Sequence, residues 1–294
     1  MLWLLYLYPL RFLARSIPVR MFHLARRSAM PLFQLLLSKP RKRVAWELAA
    51  KFGSDVPAEQ TEQIATRFMA NAVHRLFDDL ILDRLLAAGT LKPAELTGLE
   101  HLEAARKAGT GAMLVNGHFF ATRLAKRYLA QIGYPILSVR HGMPRDAQMG
   151  RLGERYLQRR YLEFLHDVIG EEVFTQDPEC TLKIFRRLRC GGLVHIYIDA
   201  PFSREETRVP FLGKRPRFPA GYLRIARLSG CSVLPMLCLG NSSGLVIRFD
   251  EPVKLVPAAS EEEFISRNLP NLVRMLEAQI IEYPDAWDAW RIRL

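Results

Sequence analysis

Cysteine is scarce. The chain holds four in 294 residues, Cys180, Cys190, Cys231 and Cys238. None forms a C-x-x-C pair, and no histidine stands beside them at metal-ligand spacing. That argues against a structural zinc site and against a disulfide framework. The four are expected as free thiols, mostly buried. Acidic residues are also in short supply, 30 against 42 basic ones, for a formal charge of +12. Such an excess suits a polyanionic partner, either nucleic acid or the headgroups of an anionic membrane. Long apolar runs are missing too: "MLWLLYLYPL" stops at Arg11, short of the ~20 residues that cross a bilayer. No basic region precedes that run and no small-residue cleavage site follows, so it does not read as a cleaved signal peptide. Arg26-Arg27 lies too deep for a twin-arginine signal. There is no internal repeat and no low-complexity segment.

What is present is a chain with 49% hydrophobic residues, enough for a large core. Residues 1–43 mix Leu, Trp, Tyr and Phe with Arg11, Arg15, Arg20, Arg26 and Arg27, and "MPLFQLLL" runs into "KPRKR". Apolar residues beside clustered cations are what a helix lying in a membrane interface needs: one face enters the acyl boundary while the cations stay among headgroups. This segment is expected to be a basic amphipathic membrane-associating arm, and residues 44–294 a helical lead-in and an α/β domain. Residues 44–88 carry helical periodicity throughout, with Ile64, Phe68, Ala72, Leu76 and Leu80 on one stripe. His74, Asp78 and Asp79 are expected as structural or solvated members of that helix.

From residue 98 the pattern alternates. Strands are expected at 112–116, 136–139, 193–198, 233–239 and 244–249. Helices are expected at 121–132, 146–169, 178–189, 219–229 and 261–282. Alternation of this kind predicts an α/β fold with a largely parallel central sheet and helices on both faces. In such sheets working residues gather where strands end and helices begin. Two places qualify: Asn116-Gly117-His118, and the loop from Asp199 to Gly221.

A neutral imidazole at a strand end can take a proton from a hydroxyl, which then attacks a carbonyl. Gly117 lets the main chain approach a ligand, and the free N–H groups of the following helix would suit an oxyanion or a phosphate. The later loop holds Arg204, Arg208, Lys214, Arg215 and Arg217 among Pro and Phe, a cradle for a phosphate on a lipid headgroup or on a carrier's pantetheine arm. His141 follows Arg140 in a loop that could line the mouth of the site. His101, His166 and His195 read as helix or strand residues.

At these residues a resemblance enters. "GLEHLEAARKAGTGAMLVNGHF", "GGLVHIYIDAPF", "VPFLGKRPRFPAGYLRIARLSGCSVLPM" and "LEAQIIEYPDAWDAWRIRL", in that order and spacing, resemble the lipid A biosynthesis acyltransferases, the lauroyl and myristoyl branch of the lysophospholipid acyltransferase superfamily. The resemblance implies a peripheral or monotopic enzyme on the cytoplasmic face of the inner membrane. It would move a fatty acyl chain from an acyl carrier protein or coenzyme A thioester to a hydroxyl of a lipid acceptor, lipid A-type or related, with no bound cofactor and no metal. It makes His118 the general base and Asp199 an acidic position at the end of the later strand. It assigns Val209 to Gly221 to the acceptor-side pocket, and the candidate substrate-binding residues are Asn116, Gly117, Arg123, Arg204, Arg208, Lys214, Arg215 and Gly221.

One position departs from the family motif of a histidine, four residues, then Asp or Glu. Arg123 stands where the carboxylate is expected. A permanent cation cannot orient the imidazole or stabilise its protonated form. Arg123 falls off the apolar stripe of its helix, with Lys126 and Arg127, and is expected as a surface or headgroup cation. The carboxylate serving His118 must then come from elsewhere, Asp199 first and Glu154 second. The rival readings are a silent lipid-binding relative that keeps the pocket without the chemistry, and a nucleic-acid binder. No reader motif supports the latter, and no nucleic-acid partner is expected.

Overall fold

The structure is a computed structural model that describes residues 9–53, 56–87, 91, 93–141, 170–200 and 206–291. Four helices lead in: α1 (Arg11–Ser16), α2 (Val19–Leu36), α3 (Ser38–Phe52) and α4 (Ala58–Ala87). The stretch expected as one helix over 44–88 is therefore two. It breaks at Gly53, whose φ of 60° no other residue adopts cheaply, and restarts after Pro57. Helix α3 runs across the 43/44 boundary suggested by composition.

The remaining elements are β1 (Pro93–Thr97), α5 (Leu99–Lys107), β2 (Ala112–Asn116), α6 (Thr122–Gln131), β3 (Ile136–Arg140), β4 (Glu172–Phe174), α7 (Cys180–Arg189), β5 (Leu193–Tyr197), β6 (Glu206–Arg208), β7 (Arg217–Pro219), α8 (Gly221–Ser229), β8 (Ser232–Asn241), β9 (Gly244–Phe249) and α9 (Glu261–Glu282). The fold is α/β, as expected. Seven strands form one sheet in the order β1-β9-β8-β2-β5-β3-β4. The five from β8 to β4 are parallel. Strand β9 runs antiparallel to β8, because the tight turn between them is too short for a crossover, and β1 pairs parallel to β9 at the edge. Strands β6 and β7 form a separate antiparallel pair.

Strand β2 lies in the middle and is buried at every position. Alternation divides it between two cores. Met113 and Val115 join a cluster with α7, α8, α9 and the aromatic segment around Trp287. Ala112 and Leu114 join the opposite cluster, with α5, α6 and the later part of α4. Cys180, Cys231 and Cys238 are buried free thiols and Cys190 is exposed.

Helix α4 carries a polar stripe that ties the lead-in helices to the body. Arg26, expected among headgroup cations, is instead buried. It donates to Asp78 Oδ1 at 2.8 Å and to Ser242 and Ser243 in the β8–β9 turn. A guanidinium this deep needs a carboxylate, and Asp78 supplies it. No described helix is long and apolar enough to cross a membrane.

Candidate active site

The parallel register builds the site. Asn116 at the end of β2 sits opposite Tyr197 at the end of β5, and the Ile198 N–H donates to the Asn116 carbonyl at 3.0 Å. The chain segments leaving these two strands therefore emerge side by side at the carboxyl edge of the sheet, where ligands of open α/β sheets gather. One carries His118 and the other Asp199. The imidazole Nδ1 lies 2.6 Å from Asp199 Oδ1, and the His118 main-chain N–H donates to Oδ2 at 2.9 Å.

Asp199 is fully buried, which by itself would raise its pKa. The His118 charge, the two hydrogen bonds from His118 and one from Trp287 outweigh burial and hold the carboxyl below its ordinary range. An ionised carboxylate only accepts, so Nδ1 carries a proton, and whenever the imidazole is neutral its lone pair lies on Nε2. About a third of the His118 side chain remains exposed, against none of Asp199. The acceptor nitrogen thus belongs to the accessible member of the pair.

Sequence reasoning missed Trp287. Its fully buried indole donates to Asp199 Oδ2 at 2.7 Å. It arrives on the segment after α9, which pairs with the chain at Phe119: the Phe120 N–H donates to the Ala286 carbonyl and the Asp288 N–H to the His118 carbonyl. Gly117 is required by this packing. A Cβ there would stand 2.6 Å from a Leu276 methyl and 3.2 Å from both Asp199 Oδ2 and Trp287 Nε1. The signal in "YPDAWDAW" was aromatic residues after a helix-ending proline, which name no chemistry.

Behind the imidazole lies a buried polar layer. Tyr197 stacks on His118, centroids 3.9 Å apart and planes 12° apart, and its hydroxyl is pushed up to about 12 chiefly by burial. His195, in β5 as expected, is fully buried. Burial first and Lys126 second hold its pKa well below the ordinary value, so it is neutral. Its Nε2–H donates to Asn116 Oδ1 at 2.8 Å, and Asn116 donates to Thr122 at 3.0 Å. Asn116, expected as a binding residue, is wholly buried and spends its amide on this layer. Lys126, expected on a polar face, is buried as well. It donates to Ser138 at 2.8 Å and lies 5.6 Å over the Tyr197 ring. Burial above all, then Arg123, pushes its pKa down to about 7.

Arg123 corrects the surface expectation in an informative way. Its guanidinium turns inward to Asp79 Oδ2 at 3.0 Å, and less than a quarter of it is exposed. The side chain at the motif position thus meets a carboxylate of α4. At the approach to α6 the N–H groups of Phe119, Phe120 and Thr122 donate to the Gly117, Ala286 and Phe119 carbonyls, so of the first helical N–H groups that of Thr122 is already spent.

The basic loop is a hairpin. Leu212 and Gly213 at its tip both have positive φ, 47° and 73°, and Phe211 and Lys214 exchange main-chain hydrogen bonds around them. That is a type I′ turn, in which a leucine is strained. The Leu212 N–H is held by Glu277 Oε1 at 2.5 Å. Phe211 packs edge-on against Trp287, with centroids 5.8 Å apart, which sets the hairpin beside the His118–Asp199 pair. Arg208, Lys214, Arg215 and Arg217 are exposed on it, and Gly221 opens α8 directly after it. Lys51 of α3 has its pKa lowered by burial and then by neighbouring Lys214. His141 bonds Thr175 and Gln176 in an exposed cluster, and His74 bonds Asn241. Arg204, Glu154, His166 and the helix expected at 146–169 lie outside the described residues.

A family profile of bacterial lipid A biosynthesis acyltransferases matches residues 2–290, so the chain belongs to that family. It is 29% identical over 151 residues to a phosphatidylinositol mannoside acyltransferase of Mycobacterium tuberculosis, covering 50% of this chain and 44% of that one. It is 24% identical over 196 residues to a protein of the same name from Mycolicibacterium smegmatis, covering 66% of this chain and 60% of that one. The chain thus spans about half the length of the curated relatives it matches. Among solved structures, the 1-acyl-sn-glycerophosphate acyltransferase of Thermotoga maritima aligns with a TM-score of 0.38 at 14% identity, covering 88% of this chain and 97% of that one.

Proposed function

We propose that this family member transfers a fatty acyl group from a thioester donor to a hydroxyl of a membrane lipid, with His118 as general base and Asp199 as its partner. The observation that carries the reading is the 2.6 Å contact between His118 Nδ1 and a buried, ionised Asp199. In the reaction, Nε2 takes the acceptor's hydroxyl proton as the oxygen attacks the thioester carbonyl. The C–S bond then breaks, and the proton passes from Nε2 to the departing thiolate. Asp199 holds the imidazole in the required tautomer and stabilises the imidazolium. The pair replaces the motif carboxylate lost at position 123 and weighs against a silent relative.

The acceptor is a sugar hydroxyl on a phosphate-bearing lipid. Support comes from the family's description and from the phosphatidylinositol mannoside relatives. The donor is an acyl carrier protein or coenzyme A thioester, whose phosphates would meet the basic hairpin. Lys214 beside Lys51 leaves two ammonium groups close together, a site an anion would relieve. The chain would work at an anionic membrane surface. Phe12, Leu24, Leu35, Leu36 and Trp46 are exposed on α1 to α3, with Arg20, Arg27, Lys39, Lys42 and Arg43 exposed beside them.

The test is acyl transfer by the purified protein in detergent, with acyl carrier protein and coenzyme A thioesters, and with phosphatidylinositol mannosides and lipid A precursors as acceptors. Wild type should turn over, and His118→Ala should not. Turnover that survives His118→Ala would overturn the assignment.

A further inference from the structure

The two oxygens of Asp199 have different tasks. Oδ1 faces the imidazole, while Oδ2 takes the His118 main-chain N–H at 2.9 Å and the Trp287 indole N–H at 2.7 Å. A partial rotation of the carboxylate about its Cβ–Cγ bond would carry Oδ1 off the imidazole and break that contact. The main-chain N–H cannot by itself prevent this, because it belongs to the same residue the carboxylate is meant to orient. The indole is a second anchor, from a different element. It is fully buried, edge-on to Phe211 at 5.8 Å and to Trp290 at 4.9 Å, so it cannot follow a turning carboxylate. The main chain next to it fixes the other partner: the Asp288 N–H holds the His118 carbonyl at 2.7 Å. One segment therefore grips both members of the pair.

We infer that Trp287 is a positioning residue for the transfer reaction: its N–H locks the rotation of Asp199 so that Oδ1 stays on the imidazole and His118 keeps its Nε2 lone pair bare. This rests on the proposed roles of His118 and Asp199. The indole touches no reacting atom, and its effect is exerted through the carboxylate alone.

A purely structural tryptophan would matter for packing. A positioning one would matter for the N–H. The decisive variants are Trp287→Phe and replacement of residue 287 by 3-benzothienylalanine, which keeps the indole shape and puts sulfur in place of N–H. Two readouts are needed: the nitrogen-15 signals of the His118 imidazole in labelled protein in detergent, assigned by their loss in His118→Gln, and kcat and KM for acyl transfer. In wild type the signals should report a protonated Nδ1. In the benzothienyl protein they should move toward those of an imidazole exchanging between tautomers, and kcat should fall about tenfold at nearly constant KM, the loss of one hydrogen bond to a charged group. If Trp287→Phe fails to fold, the isostere decides. A folded benzothienyl protein with unchanged imidazole signals and unchanged kcat overturns the inference. Wild type that transfers no acyl group, while the imidazole still changes tautomer on loss of the N–H, would remove the proposed reaction and leave the lock standing.

Discussion

Asp199 and Asp78 are both buried, and each accepts hydrogen bonds from three described donors. Yet they stand on opposite sides of the ordinary aspartate range. Burial is the largest influence on both and raises both. At Asp199 each of the other main influences pulls downward, led by the His118 charge, and the carboxyl ends below its usual value. At Asp78 Arg26 and Ser242 also pull downward, but burial outweighs them, with a small addition from the like charge of Asp79, and the carboxyl is raised to about 6. The number of donors does not decide the sign; the balance between burial and the opposing charges and hydrogen bonds does. The comparison also separates the proposed working pair from a holding pair. The partner of Asp199 can gain and lose its charge, while the partner of Asp78 is a permanent cation.

The sharpest way to break the comparison is to neutralise Asp199, the proposed partner of the base. Asp199→Asn should lower kcat by about 10⁴, the scale of the same change in a serine protease triad, and a near-normal rate in the transfer assay would show that the pair is not the engine. Next comes the arginine between the two sites. Arg123→Asp restores the family's motif residue but aims it at buried Asp79. It should cost about 2–4 kcal/mol of stability in denaturant unfolding and bring no gain in rate. A faster enzyme would mean that position 123 can reach the imidazole after all.

A third test uses a buried cation in place of an anion. The Lys126 pKa lies near 7 in the fold against an ordinary 10.5. The folded chain therefore holds fewer protons than the unfolded one between these values, and stability rises with pH across that window. Lys126→Met should remove this rise and gain about 1–2 kcal/mol at pH 7. The smallest effect is a change of slope. Asp78 titrates near 6 when folded against an ordinary 3.8, so the folded state holds the extra proton, and this contribution declines as pH rises from about 4 to about 6. The stability of wild type relative to Asp78→Asn should fall over that range. Relative to Asp199→Asn, the wild-type advantage should be complete above the ordinary 3.8 and disappear as pH drops below it.

Much of the central sheet was legible because its strands are short apolar runs between helical periods. Strands β2 and β9 and helix α9 occupy the residues expected of them, and β5 and β8 differ only at their ends. Strand β1 was not legible: "PAELT" has a leading proline, alternates poorly and lies half-exposed at the sheet edge. Strand β4 and the hairpin strands are three residues each, too short for a period. At the site, His118 and Asp199 could be nominated together because both should leave strand ends. Trp287 could not, since only tertiary packing brings it there. Arg123 and Lys126 were misread for one reason. Periodicity tells which residues leave the apolar stripe, but a polar side chain can still turn inward where a buried carboxylate or hydroxyl awaits it.

The segment around Trp287 bears on how the chain is born. Strand β2 is made early, but its neighbours β5 and β8 come much later, and the indole that steadies the carboxylate comes later still. A ribosome must release residues beyond 288 before the pair can be gripped. Until then the segments that carry His118 and Asp199 can be made while the carboxylate still lacks its indole, so this geometry is completed only by the last part of the chain to be synthesised.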